Sequence, residues 1–113
     1  MTGTVHVVVT GLRLKAALYA PLFGYHAVRS MAQARREPSC RFAEARTVDG
    51  FHHTLTVWDS AAAAAAYGQS GAHRAAAAVF SKIATGAVYH GDARQRPEWT
   101  EALSLWRSRG VAV

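Results

Sequence analysis

Six histidines are the residues of this sequence best suited to chemistry, because an imidazole can carry a proton, act as a general base or bind a metal near neutral pH. His73 is the candidate catalytic residue. It falls near the third position of a predicted helix, where the positive end of the helix dipole disfavours the imidazolium form. A neutral imidazole there suits a general base or an iron ligand, and a hydrogen-bonded core histidine is the alternative without chemistry.

His52 and His53 are neighbours on a predicted strand, so their side chains point to opposite faces and cannot chelate one ion together. His52 shares a small, polar face with Thr54, Thr56 and Trp58, which makes it a candidate pocket residue; a histidine at a dimer interface is the alternative. The remaining histidines are His6, His26 and His90. None of the six has the spacing of a zinc motif, so no metal site is predicted unless His73 binds an iron.

Two aromatic residues, Trp58 and Tyr67, lie nearest the expected pocket and could stack on a planar substrate, with core filling as the alternative role. The sequence contains no G-x-S-x-G, no G-x-G-x-x-G after a strand and no C-x-x-C. Hydrolase, dinucleotide-binding and thiol-redox chemistry therefore have no support from motifs.

Composition predicts one compact domain over residues 1–113 that associates with a second copy of itself. Half of the residues are hydrophobic and 18% are charged, against about 25% in typical globular proteins. So little polar surface indicates that some apolar area meets another subunit, and we expect a homodimer.

The net charge of +6 is spread along the chain without a run of five basic residues, so no nucleic-acid partner is expected. The sequence lacks a signal-peptide pattern and an apolar segment of about 20 residues, so no membrane partner is expected either. Cys40 is the only cysteine, which excludes an internal disulfide and favours a cytoplasmic protein.

The elements that must position these side chains follow from the hydrophobic pattern. Residues 5–10 are a nearly continuous β-branched run, typical of a central strand buried on both faces. Residues 15–36 predict a helix that begins or is kinked at Pro21 and stops before Pro38. At helical spacing along it lie Leu18, Leu22, Tyr25, Arg29 and Ala32.

Two strands, residues 39–48 and 51–58, flank Asp49-Gly50, a strong signal for a type I′ hairpin. A two-residue turn fixes the register from Val48 opposite Phe51 to Arg41 opposite Trp58. One face of the hairpin then carries small and polar side chains ended by Trp58. We favour this face beneath the helices, where small side chains leave room for a ligand.

The second helical region is predicted to be broken. Ser60 caps the alanine run of residues 61–66, and Ser70 caps a second segment, residues 71–85, that ends at Gly86. A strand at 87–90 and a helix at 99–109 follow. The order β-α-β-β-α-β plus a C-terminal helix predicts an α+β, ferredoxin-like fold with both long helices on one sheet face. A second subunit is expected to close the open face, which gives a dimeric α+β barrel.

One stretch of the chain resembles the dimeric α+β barrel superfamily, in particular its antibiotic-biosynthesis-monooxygenase-like and spheroidene-monooxygenase-like members. It comprises Thr56-Val57-Trp58-Asp59-Ser60, an alanine-rich helix, Tyr67 and Ser70-Gly71-Ala72-His73-Arg74. The superfamily includes cofactor-free oxygenases, heme enzymes and domains without a known reaction. The resemblance therefore implies either no cofactor or heme.

The heme-degrading members of this superfamily have a Trp and a later His on the second helix and an Asn on the first strand. Matched from Trp58 onward, those helix positions hold Tyr67 and Ala77, and the first strand ends Val9-Thr10-Gly11, so the resemblance does not extend to that mechanism. An Ala-His pair of the spheroidene-type members matches Ala72-His73, which implies His73 as the axial ligand if heme binds.

The sequence thus predicts a small monooxygenase-like enzyme that acts on an apolar aromatic or polyene-like molecule between sheet and helices. His73 would be the base or a hydrogen-bond donor, and the substrate-binding residues would be His52, Thr54, Thr56, Trp58, Tyr67 and Arg74. The alternatives are a heme-binding or heme-dependent enzyme, and a non-catalytic ligand-binding or dimerisation domain.

Overall fold

The computed structural model of the protein describes residues 3–113, whose strands form one antiparallel sheet. A 3₁₀ turn at Ala17–Tyr19 precedes the first helix. In chain order the elements are β1 (Val5–Leu14), α1 (Ala20–Arg36), β2 (Cys40–Val48), β3 (Phe51–Trp58), α2 (Ala61–Gly68), α3 (Gly71–Ile83), β4 (Ala84–Ala93), α4 (Trp99–Arg109) and β5 (Val111–Ala112). The strand order β2-β3-β1-β4-β5 confirms the predicted α+β, ferredoxin-like fold, with one short strand added at the edge.

β1 and β4 are both longer than predicted. They pair continuously from Val5 opposite Ala93 to Leu14 opposite Ala84, so α3 ends at Ile83 and Gly86 lies inside a strand rather than at a helix end. A side chain at Gly86 would overlap the backbone of β1, which is why glycine is needed at this close approach. Of the two alternatives for Pro21, the structure has the first: helix α1 begins at Ala20, with Pro21 in its first turn, where a missing N–H costs no hydrogen bond.

The β2–β3 hairpin has the predicted turn and nearly the predicted register. Asp49 and Gly50 both adopt positive φ angles, 52° and 81°, as a type I′ turn requires. The pairs match the prediction from Val48–Phe51 to Phe42–Val57. The prediction that Arg41 faces Trp58 is wrong, because a register shift between residues 40 and 42 brings Cys40 opposite Trp58 instead.

Helices α1, α2 and α3 cover the face of the sheet that carries the small and polar side chains. Trp58 lies on this face and is 1% exposed, packed with Ala34 of α1 and with Ala64 and Tyr67 of α2. Ser60 caps α2 as predicted, because its Oγ accepts the backbone N–H of Ala63 at 3.1 Å.

Helix α4 covers the opposite face of the sheet. Val7, Val9, Leu55 and Val57 on this face are almost fully buried and pack with Ala102 of α4. The sequence predicted that a second subunit would cover this face, but within residues 3–113 helix α4 of the same chain buries its centre.

Apolar side chains remain exposed along the outer side of α1 and the turn before it. Leu18 is 76% exposed and Val28 is 70% exposed, and Leu22 and Tyr25 lie exposed between them. The inner side of α1 buries Ser30, Met31 and Ala34 instead. Much of the helical repeat noted in the sequence therefore faces away from the core. No helix within residues 3–113 has the length and apolar character needed to cross a membrane.

Candidate functional site

Three of the predicted site residues form a row of rings between the sheet and the helices. The Trp58 and Tyr67 ring centroids are 4.7 Å apart, and the Tyr67 and His73 centroids are 4.6 Å apart. We call these three residues the aromatic row. The distances and tilted geometry are those of favourable aromatic packing. The row links the end of β3 to the last turn of α2 and the first turn of α3.

The Tyr67 hydroxyl group is tied to α1. It donates to the backbone carbonyl of Ser30 at 2.7 Å, and the Ser30 Oγ lies 2.8 Å from the same phenolic oxygen. Because the single phenolic hydrogen is used for the carbonyl, Ser30 Oγ is the donor of the second bond. Burial raises the pKa of Tyr67, so the residue is a neutral phenol near pH 7.

His73 has one ring nitrogen fixed and the other available. Its Nδ1 lies 3.1 Å from the carbonyl oxygen of Gly68, which only accepts, so Nδ1 carries the hydrogen. Burial lowers the pKa of His73, although the bond to Gly68 acts in the opposite direction. The ring is therefore neutral near pH 7, and Nε2 keeps a lone pair that can accept a proton or a hydrogen bond.

The first turn of α3 is not capped by Ser70, as the sequence predicted, but by another side chain. Ser70 stands at the N-cap position but accepts no backbone N–H of α3. Its Oγ donates to the Tyr67 carbonyl at 3.1 Å and accepts from Gln33 Nε2 at 2.8 Å. Gln33 Oε1 in turn accepts the backbone N–H of His73 at 3.2 Å. A residue of α1 therefore takes over the capping role that the sequence assigned to Ser70.

Thr54 and Thr56 lie on the same sheet face as the aromatic row. Thr56 is 6% exposed and is two residues before Trp58 on β3. Thr54 Oγ1 lies 2.5 Å from Thr10 Oγ1 of the neighbouring strand, so its hydroxyl group already has a protein partner. The Thr10–Thr54 pair forms a polar floor beneath the helices.

The other two predicted site residues lie apart from the row. His52 is six residues from Trp58 on β3, about 20 Å along a strand. Its ring packs on Phe23 of α1 at 4.7 Å, and its Nδ1 lies 3.0 Å from Thr47 Oγ1. Arg74 is exposed on α3. A single small ligand therefore cannot contact His52 and the Trp58 end of the row together.

A cluster of His6, His90 and Asp92 was not predicted from the sequence. His6 Nδ1 lies 2.8 Å from Asp92 Oδ1, and His6 Nε2 lies 3.3 Å from His90 Nδ1. The local signal for it was the spacing of His90 and Asp92, because residues two apart on a strand share a face. The contribution of His6 depends on the β1–β4 register, which no local pattern reveals.

Two cavities open elsewhere on the molecule. A groove of about 590 Å³ runs along β4 and is lined by residues 88–92, Arg109, Val111 and Val113. A cleft of about 580 Å³ lies between the sheet and α4, with Val7, Tyr89, Pro97, Glu101 and Leu105 among its lining residues. His73 lines neither. No group of three His, Cys, Asp or Glu side chains among residues 3–113 is arranged to bind a metal ion.

Heme fits poorly beside His73. Tyr67 packs against the imidazole ring and is itself only 9% exposed, and neither of the two cavities described above reaches His73. Moving Tyr67 would break both of its bonds to Ser30.

The arrangement of strands and helices defines a class of fold, the ferredoxin-like α+β fold, which solved structures described as antibiotic biosynthesis monooxygenases share. No protein-family profile matches the sequence, and no curated protein matches it at the sequence level. The similarity to solved structures lies at the level of the fold.

Three solved structures illustrate this similarity. A conserved protein from Methanosarcina mazei has a TM-score of 0.68 and 12% identity, over 80% of this chain and 92% of that one. A Caulobacter crescentus protein, proposed to be an antibiotic biosynthesis monooxygenase, has a TM-score of 0.66 and 20% identity over 83% and 91%. A variant of SnoaB from Streptomyces nogalater, a cofactor-independent oxygenase, has a TM-score of 0.62 and 15% identity over 84% and 96%.

Proposed function

We propose that this chain is a small oxygenase that acts on an apolar aromatic or polyene-like substrate between the sheet and helices α1 and α3. His73 is its base, and Tyr67 and Trp58 are the ring surface that orients the substrate. Thr54 contributes to the polar floor, and Thr56 lies between it and Trp58 on the same face of β3. The proposal assigns no cofactor.

The observation that carries this proposal is the state of His73. Its Nδ1–H is anchored on Gly68, and burial lowers its pKa, so Nε2 is a bare acceptor at the end of a row of aromatic rings. A base in that position can remove an acidic proton from a hydroxylated aromatic substrate. The resulting anion is electron-rich and reacts with O2 more readily than the neutral molecule. The similarity in fold to a cofactor-independent oxygenase is consistent with this chemistry.

Oxygen consumption tests the proposal. Purified protein is incubated with a panel of hydroxylated aromatic and polyene substrates, and O2 uptake is followed for the wild type, His73→Ala and Tyr67→Phe. We expect uptake with at least one substrate, reduced about 100-fold in His73→Ala. His26→Ala is the matched control, since His26 packs on Phe80 and Tyr25 and is outside the row. Equal uptake by His73→Ala and the control would remove His73 as the base.

The heme alternative has a separate test, because Nε2 of His73 is also the atom that an iron would take. Hemin is titrated into the wild type and into His73→Ala while the Soret band is recorded. A shift that is lost in the variant would support heme, and no shift would remove it. A protein that neither shifts hemin absorbance nor consumes O2 with any substrate would favour the third alternative, a non-catalytic binding domain.

We also propose that the chain is a cytoplasmic homodimer. The exposed apolar side chains at Leu18, Leu22, Tyr25 and Val28 support a subunit contact, because a contiguous apolar stripe of this kind is unusual on the surface of a monomer. The single cysteine, Cys40, is consistent with a reducing compartment.

A further inference from the structure

Three hydrogen-bonded polar side chains cross β1 and β4, with His6 opposite Trp58 in the β1–β3 register. His6 lies opposite Asp92 in the sheet register, and His90 is two residues before Asp92 on the same face. His6 therefore sits between the two, bonded to Asp92 through Nδ1 and to His90 through Nε2. The order is carboxylate, inner imidazole, outer imidazole.

The hydrogen-bonding capacities of these groups fix the positions of the protons. An ionised carboxylate only accepts, so His6 Nδ1 must carry a hydrogen and donate it to Asp92. In a neutral His6, Nε2 is then bare and accepts, so the hydrogen of the second bond belongs to His90 Nδ1. A neutral His90 is left with an unprotonated Nε2 at the outer end of the chain.

The two imidazoles differ in burial, and the difference suits proton transfer. His6 is 8% exposed and is held on both ring nitrogens, whereas His90 is exposed. Partial burial and the neighbouring His6 lower the pKa of His90, so it is neutral near pH 7. The outer imidazole, His90, is therefore accessible to a ligand, and the inner one, His6, is held in a fixed orientation.

A groove of about 590 Å³ gives His90 a place where a ligand can bind. β5 pairs only with Ala87 and Val88, so the groove runs along the part of β4 that has no strand beyond it within residues 3–113. Arg109 also lines this groove and forms no ion pair with any other residue of the described chain. An unpaired guanidinium is a ready partner for a carboxylate.

We propose that Asp92, His6 and His90 form a proton relay that serves a small carboxylate-bearing ligand in this groove. His90 is the general base, and Arg109 binds the carboxylate. Nε2 of His90 takes a proton from an O–H group, and the electron pair of that bond stays on the oxygen, which becomes the nucleophile. Asp92 stays ionised and stabilises the new positive charge through His6, as in other carboxylate–imidazole pairs. The proposal is independent of His73 and of the oxygenase proposal.

The relay is tested first by the tautomers of its rings. Long-range ¹H–¹⁵N spectra of labelled protein near pH 8 should show both His6 and His90 with the hydrogen on Nδ1, the opposite of the form that free histidine prefers. Asp92→Ala removes the acceptor from an exposed position, so both rings should shift toward the Nε2–H form. Nε2–H on His90 in the wild type would overturn the relay.

The catalytic role is tested with two activated esters, 4-nitrophenyl acetate and mono-4-nitrophenyl succinate, which carries a carboxylate. Water attacks the ester carbonyl as His90 takes its proton, the ester C–O bond breaks, and nitrophenolate leaves and is detected by its absorbance. We expect faster hydrolysis of the succinate ester, a loss of about 100-fold in His90→Ala and about 10-fold in Asp92→Ala.

Two controls separate this site from the rest of the molecule. Arg109→Gln should abolish the preference for the succinate ester, because the acetate carries no carboxylate for the guanidinium to bind, whereas His26→Ala should leave both rates unchanged. A wild-type rate no higher than that of free imidazole, or an unchanged rate in His90→Ala, would overturn the assignment of His90. Loss of ester hydrolysis in His73→Ala alone would instead move the base to the oxygenase site.

Discussion

Tyr67 joins three elements through one side chain. Its ring packs between Trp58 of β3 and His73 of α3, and its hydroxyl group bonds to Ser30 of α1. A residue in this position contributes to folding whether or not a substrate ever contacts it. Stability and activity therefore have to be measured separately in any variant of the aromatic row.

Tyr67→Phe should lower the free energy of unfolding by about 1 to 2 kcal/mol. The substitution keeps the ring contacts but leaves buried groups of Ser30 without their phenolic partner. Urea denaturation measures the loss. Tyr25→Phe is the matched control, because Tyr25 is 57% exposed and its substitution should change stability by less than about 0.5 kcal/mol. Equal effects at the two positions would show that the Ser30 bonds contribute nothing.

We expect the protein to become less stable in mild acid because His53 is buried. It is 2% exposed beneath α4, its Nδ1–H donates to the Thr10 carbonyl, and its ring packs on Trp106 at 4.6 Å. Burial lowers the pKa of His53 below its usual value near 6.5, so below about pH 6.5 the unfolded chain binds the proton more readily. Its contribution is complete above that pH and is lost as the pH falls through the lowered pKa.

The measurement compares urea denaturation at about pH 7.5 and about pH 5.5 in the wild type and in His53→Asn. Asn retains a donor for the Thr10 carbonyl but does not titrate, so the variant should lose less stability between the two conditions. His73 and His90 also have pKa values lowered by burial and leave a residual dependence. An identical loss in both proteins would contradict the assignment to His53.

At the level of single residues, the sequence predicted neutrality at His73 but not its physical cause. The predicted cause was the helix dipole, whereas in the structure burial lowers the pKa of His73 and the Nδ1–H bond to the Gly68 carbonyl opposes that shift. The proximity of Trp58, Tyr67 and His73 followed from their positions on β3 and the broken helix. The His6–His90 contact could not be predicted, because it joins residues 84 positions apart through a strand register.

Among the elements, α4 depends on one glycine for its position on the sheet. A side chain at Gly11 would overlap the ring of Trp106, which packs directly over this residue of β1. The Trp106 Nε1–H also donates to the carbonyl of Ala87 at 2.8 Å. Because Gly11 has no side chain, α4 can approach β1 closely enough for Trp106 to form this hydrogen bond.

Gly11→Ala should displace Trp106 and lower the free energy of unfolding by about 1 to 3 kcal/mol, the usual cost of overpacking. Gly24→Ala provides the matched control. A side chain at Gly24 meets no atom within 4 Å, and alanine in the middle of α1 should stabilise the helix by roughly 0.5 to 1 kcal/mol. Thermal denaturation and tryptophan fluorescence measure both effects, and a stabilising Gly11→Ala would show that α4 does not depend on this close approach.

The elements whose signals are local were predicted well, and those set by contacts across the sheet were not. The Asp49-Gly50 turn fixed most of the β2–β3 register, and Trp99–Arg109 had the predicted bounds. The outer side of α1 was harder to assign, because an alanine-rich helix shows little contrast between its faces. The extra length of β1 and β4 comes from their mutual pairing, which extends through residues with no strong strand preference.

For the molecule as a whole, we expect sedimentation to give twice the chain mass of 12.2 kDa at micromolar concentration. The physical reason is the exposed apolar side of α1, whose burial in a subunit contact is favourable. Val28→Lys should shift the population toward the monomer. Val111→Lys tests an equally exposed valine on β5 and should have no effect. A monomer of the wild-type protein at this concentration would refute the homodimer.

The prediction of a single domain over residues 1–113 is tested by unfolding. Trp58 reports on the sheet face covered by α1, α2 and α3, and Trp99 and Trp106 report on the face covered by α4. In variants that retain tryptophan on only one face, the fluorescence transition and the circular dichroism transition of the backbone should have the same urea midpoint. Separate transitions for the two faces would mean that α4 undocks before the rest of the protein unfolds.

The position of α4 in the chain has a consequence for synthesis in the cell. The ribosome completes β1 to β4 and all three helices of the other face before it makes α4, so Val7, Leu55 and Val57 lack their cover during that interval. Nascent chains at this stage present a sheet with an apolar surface, the kind of intermediate that chaperones bind and that aggregates when it is crowded. The speed at which α4 docks on this surface, rather than the stability of the finished fold, would then control the yield of soluble protein.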